Sequence, residues 1–172
     1  MRCLLLAAVF ASVALPTAHA QFTLLPYAGY DFDAENPLVG LGAEFALPIT
    51  APVAVALRPS GEYMFTRDLD IAGRLFSQTI GQVNLDVIAR LRSPGVQPYG
   101  GAGVALRFVS LDTSDDDDVE GDQDSASTNV GANLIGGVAL GTFGPVRPFV
   151  QGRVTLGEGT AFALAGGIVL SL

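Results

Sequence analysis

Lysine and tryptophan are absent from this 172-residue chain, and its one cysteine and one histidine, Cys3 and His19, both lie within the first 20 residues. The remainder therefore has no thiol for a disulfide or a thiolate nucleophile, and no imidazole to act as a base near neutral pH. Uninterrupted apolar runs of about 18 residues are missing too, which excludes a helical membrane span. Positive charge is scarce: nine arginines against 17 Asp and Glu leave a net charge of −8. Nucleic acids attract basic surfaces, so no nucleic-acid partner is expected.

What is plentiful is glycine (21), proline (10) and apolar–polar alternation. Together they point to an all-β chain of many strands and tight turns. The opening MRCLLLAAVFASVALPTAHA has a basic residue at Arg2, an apolar segment from Cys3 to Leu15 that breaks at Pro16, and a small-x-small site at Ala18-His19-Ala20. It has the form of a secretory signal peptide over 1–20, which leaves one β-barrel domain at 21–172. Without Arg2 that domain sets eight arginines against 17 acidic residues, a net charge of −9.

The stretch Thr79 to Arg92, TIGQVNLDVIARLR, sets the pattern for the rest. Gly81, Val83, Leu85, Val87, Ala89 and Leu91 alternate with Gln82, Asn84, Asp86, Arg90 and Arg92, giving a strand with one apolar and one polar face. Soluble strands usually run to about 5 or 6 residues, whereas a tilted strand needs about 9 to 11 to cross a bilayer. Seven further segments alternate in the same way: Phe22 to Phe32, Leu38 to Leu47, Val53 to Phe65, Gln97 to Val109, Asn129 to Leu140, Arg147 to Leu156 and Phe162 to Leu172. Pro59 predicts a bulge or local break in its strand, because proline cannot donate to a ladder. Connections after the second, fourth and sixth strands are short and rich in Pro and Gly, while those at 66–77 and 111–127 are longer and charged. An even strand number, with short turns at one end and longer loops at the other, predicts an eight-stranded antiparallel up-and-down transmembrane β-barrel.

No charged residue falls on the apolar face of these strands. Arg58, Arg90, Arg92, Arg107, Arg147 and Arg153 share the opposite face with Asp31, Glu44, Glu62 and Asp86. A charge against lipid costs about 2 to 4 kcal/mol at the midplane, so a bilayer imposes this sorting. A soluble lipocalin-like barrel instead turns its apolar face inward around a ligand. Eight strands enclose room only for side chains. The inward glycines Gly40, Gly42, Gly101, Gly103, Gly131 and Gly137 are expected to leave space for long arginines. Arg58, Arg90, Arg107 and Arg153 would then pair with Glu44, Glu62 and Asp86 in a lumen charge network, with a polar pore as the competing arrangement.

The acidic run places Asp116, Asp118, Glu120 and Gly121 at positions 1, 3, 5 and 6 of an EF-hand-like Ca²⁺ loop, but Ser127 stands where the bidentate Glu belongs. A solvated charge run is the expected state, and Ca²⁺ is the one cofactor left open.

The strand rhythm, PYGGAGVALRF at 98–108 and the closing RPFVQGRVTLGEGTAFALAGGIVLSL from Arg147 carry a resemblance. The chain resembles the small eight-stranded barrels of the OmpA/OmpX type, in the outer membrane protein β-barrel domain family, over essentially all of 21–172. It departs from them in having no Trp for an aromatic girdle and in ending on Leu172, where such barrels end in an aromatic residue read by the barrel insertion machinery. The resemblance implies a non-enzymatic protein of the bacterial outer membrane, in contact with lipid and lipopolysaccharide. Its role would be structural or one of surface interaction through loops 66–77 and 111–127, with an extracellular partner that the sequence does not name. The alternatives are a small-solute pore and a soluble periplasmic lipocalin-like barrel. An enzyme, as among lipid-A-modifying barrels, is disfavoured because the domain has no His or Cys, and Ser with a carboxylate alone is a poor catalytic pair.

Overall fold

The computed structural model describes residues 22–48, 53–66, 69–71, 74–114, 125–141 and 145–171. The expected signal peptide, Leu172 and the candidate Ca²⁺ ligands Asp116, Asp118 and Glu120 lie outside the described residues. The strands are β1 (Phe22–Asp31), β2 (Asn36–Ala46), β3 (Val53–Met64), β4 (Leu69–Ile71), β5 (Arg74–Leu91), β6 (Val96–Ser114), β7 (Ser125–Leu140), β8 (Val146–Leu156) and β9 (Thr160–Ser171). Pairing is antiparallel throughout, β1 closes on β9, and β3 pairs with β5. Eight strands thus form a closed barrel, and the short β4 pairs with the start of β5 outside the closure.

Side chains alternate across the barrel wall as the sequence predicts. Leu41, Val104 and Leu134 are each more than half exposed, whereas Asp31, Glu44, Arg58, Glu62, Asp86 and Arg153 are all buried. Among the strand residues whose side chains are described, no outward-facing position carries a charge. This is the reverse of a lipocalin-like barrel, in which water faces the outside and the apolar face lines the cavity. On β6 the outward run from Pro98 to Phe108 rises about 25 Å, at about 3.4 Å per residue and a tilt near 40°, which matches the apolar band of a membrane barrel.

Three features depart from the sequence expectation. First, much of the two expected loops is strand: β5, β6 and β7 span 18, 19 and 16 residues, against 10 to 12 for the other barrel strands. The β7–β8 ladder begins only at Ala132 and Leu156, so residues 125–131 pair with β6 alone. A strand that leaves the bilayer has water on both sides, so nothing forces the apolar–polar alternation by which strands are recognised.

Second, of the bulge or local break expected at Pro59, only the break forms. The register of Pro59 with β5 runs unbroken through Leu85, and the β2–β3 register is the same on either side of it. Only the pairs Ala43–Pro59 and Glu44–Arg58 drop out of the β2–β3 ladder, as a missing N–H requires. Third, an aromatic band forms without tryptophan. Tyr30 and Phe32 meet edge-on at 5.2 Å, Phe32 stacks on Phe162 at 5.5 Å, and Tyr63 meets Phe65 at 5.2 Å, all at the end away from the chain termini.

Candidate functional site

Inward parity concentrates the chemistry in the lumen, where the polar residues form a band between two apolar layers. Leu38, Met64 and Ile80 are successive register partners, with Val109 packed against them, and they line the end away from the termini. Leu25, Ile88, Phe149 and Val169 are buried toward the other end. Ion pairs between these layers are shielded from solvent screening, so their geometry matters more than that of surface pairs.

Two carboxylates anchor the band. Glu62 receives both terminal nitrogens of Arg153 in a two-pronged contact, with the two side chains 1% and 4% exposed, and it also accepts a hydrogen bond of 2.6 Å from the Tyr27 hydroxyl. Glu44 is shared by two guanidiniums. Arg58 reaches it through Nε at 3.0 Å and through a second nitrogen, and Arg90 through Nη2 at 2.9 and 3.1 Å. Arg58 also donates to Gln151 at 2.9 Å, and both arginines stack over the Tyr99 ring, at 5.0 and 5.5 Å from its centre.

Two of the expected partners differ. Arg107 does not reach Glu44, Glu62 or Asp86. It pairs with Asp31 at 3.0 Å and donates to Gln82 at 3.0 Å. Asp31 in turn accepts the backbone N–H groups of Asp33 and Ala34, both at 3.0 Å, and so ties the β1–β2 turn to the lumen. Asp86 stands directly across the ladder from Arg58, yet its hydrogen bond comes from the Asn133 amide at 3.1 Å, because the Arg58 fork is turned toward Glu44 and Gln151. A chain of amides and hydroxyls that the sequence reading did not single out links these groups. Gln82 donates to Asn84, Asn84 to Ser60, Asn133 to Asn84, and Thr155 to Asn133. The signal for all of them was present, since each has inward parity on its strand.

Two of the inward glycines also serve a different purpose from the expected one. Gly40 is the cross-strand partner of Tyr27, and Gly137 of Tyr99. A Cβ at either position would fall into the partner's ring, 2.5 Å from Cζ in the case of Tyr99. The missing side chains therefore let two tyrosines lie flat along the wall, which aims their hydroxyls at Glu62 and Gln151. Gly137→Val is expected to displace Tyr99 and lower stability by about 1 to 3 kcal/mol, the usual cost of overpacking. A urea titration in detergent micelles measures this, and an unchanged midpoint would show that the Tyr99 ring is free to move.

No family model matches the chain, and no curated protein matches it in sequence. Solved structures do match in fold. The N-terminal β-barrel domain of Pseudomonas aeruginosa OprF superposes with a TM-score of 0.63 at 15% identity, over 89% of this chain and 98% of that one. Ail, the attachment invasion locus protein of Yersinia pestis, gives 0.60 at 9% identity, over 88% and 97%. The outer membrane enzyme PagL gives 0.53 at 9% identity, over 87% and 99%. The chain thus has the fold of the small eight-stranded outer-membrane β-barrels, the OmpA/OmpX type that its sequence resembles.

Proposed function

We propose that this chain is a non-enzymatic bacterial outer-membrane protein whose lumen is closed by its own side chains, with a structural or surface-interaction role at the end opposite its termini. The observation that carries this reading is the cross-lumen network itself. Glu44, Glu62 and Asp86 are each under 5% or near 7% exposed, and arginine forks or amides occupy the space a solute would need. A surface role is supported by the extra length of β5, β6 and β7, which rise past the apolar band. Ail's description as an attachment protein favours the same role. In this reading the barrel end that carries the chain termini faces the periplasm, the outward apolar ring meets lipid and lipopolysaccharide, and the barrel insertion machinery assembles the chain.

The test uses planar bilayers and intact cells. The barrel is expected to give no stepwise conductance, and regular single-channel steps would make it a small-solute pore instead. Residues 21–172 contain no cysteine, so Glu158→Cys and Ser93→Cys each introduce a single thiol. A membrane-impermeant reagent applied to whole cells is expected to label Glu158→Cys and spare Ser93→Cys; the opposite result would invert the orientation.

A further inference from the structure

The terminus-side end of the barrel holds a cavity of about 450 Å³, within the range of about 300 to 1,000 Å³ typical of small-molecule sites. Arg90, Arg92 and Arg147 line it, with Glu44 as the one acidic lining residue among the described residues and Gln97 and Thr23 among its polar ones. In a chain with 17 acidic residues against nine basic ones, this mouth reverses the sign of the whole. Glu44 is moreover already engaged by Arg58 from the lumen side as well as by Arg90. Neither Arg92 nor Arg147 has a carboxylate partner among the described residues. Gln97 holds Arg147 in place by accepting from its Nη1 at 2.9 Å, which leaves the other guanidinium donors unassigned. Arg90 Nε is buried, and it has no hydrogen-bond partner among the described residues.

From this geometry we infer that the cavity binds a small phosphate-bearing solute. Three arginines against one glutamate leave a surplus of two positive charges, which suits a phosphate dianion better than a single carboxylate. Planar guanidinium forks bind such oxyanions through two parallel hydrogen bonds. The polar side chains at the rim add neutral donors, and the cavity leaves room beyond the phosphate for a small organic group. Binding depends only on the folded barrel. The periplasmic address of the cavity rests on the orientation proposed above, which the thiol labelling tests separately.

The experiment is calorimetric titration of the detergent-solubilised barrel with glycerol 3-phosphate, with acetate at matched ionic strength as the monoanion control. Saturable binding of the phosphate ester, with none of acetate, is expected. Arg92→Gln combined with Arg147→Gln should weaken it at least about tenfold, since a charge-assisted hydrogen bond is worth about 1.5 to 3 kcal/mol. Heat-modifiable gel migration checks that the double variant folds. Should it not, Arg92→Gln alone, just past the end of β5, is expected to weaken binding severalfold. Heats that do not saturate, equal responses to acetate and the ester, or an affinity unchanged in the folded variants would each overturn the assignment.

Discussion

Glu62→Ala is expected to cost the barrel about 3 to 5 kcal/mol, enough to abolish or sharply lower its resistance to urea and heat in detergent. The alanine leaves the Arg153 guanidinium, 4% exposed, without its counter-ion, and removes the acceptor for the Tyr27 hydroxyl as well. A buried charge that has lost its partner recovers little solvation in a lumen packed with side chains, so most of the loss falls on stability. Asp86→Asn serves as the contrast. Among the described residues its one side-chain hydrogen bond is with the Asn133 amide, and the replacement keeps an oxygen in place to accept it. It should shift the midpoint by less than about 1 kcal/mol. Equal urea midpoints for wild type and Glu62→Ala would mean that the ion pairs are decorative.

The second large effect lies on the opposite side of the wall. Leu134 points outward near mid-height of β7 and is 53% exposed, and its neighbours on the same face, Ala132 and Gly136, offer nothing to shelter a charge. Leu134→Arg should therefore destabilise folding into lipid vesicles by about 2 to 4 kcal/mol, while an arginine at the rim costs about 1 or less. A water-exposed surface would tolerate the change within about 0.5 kcal/mol. Titrating vesicle-folded protein with denaturant separates these outcomes. A neutral result at Leu134 would remove lipid from the outer surface and with it the outer-membrane assignment.

The wall of this molecule was legible in the sequence, and its interior wiring was not. A bilayer outside and a crowded lumen inside impose a period of two on every strand, and that period is printed in the residues from Phe22 to Ser171. Parity names the face a side chain takes but gives no height along the barrel axis. Height follows from register and stagger between strands. This is why Arg107 finds Asp31, on β1, rather than the three acids first matched to it, and why Asp86 ends beside Asn133. The glycines show the same gap: their inward parity was plain, whereas the tyrosine opposite Gly40 and Gly137 could be seen only once the ladders were paired. The extensions of β5, β6 and β7 stayed hidden because the constraint that marks strands ends where the lipid ends.

At Pro59 the β2–β3 ladder loses two consecutive pairs, and one of them is Glu44 with Arg58. These are also the residues whose side chains join across that interval on the inner surface. The seam that proline leaves open toward the hydrocarbon is thus sewn from within, by a carboxylate and a guanidinium spanning the staves where backbone stitches are missing. Adjacent strands there are held by side-chain charge where backbone hydrogen bonds are missing, so the opening of this join on warming would be governed by side-chain chemistry.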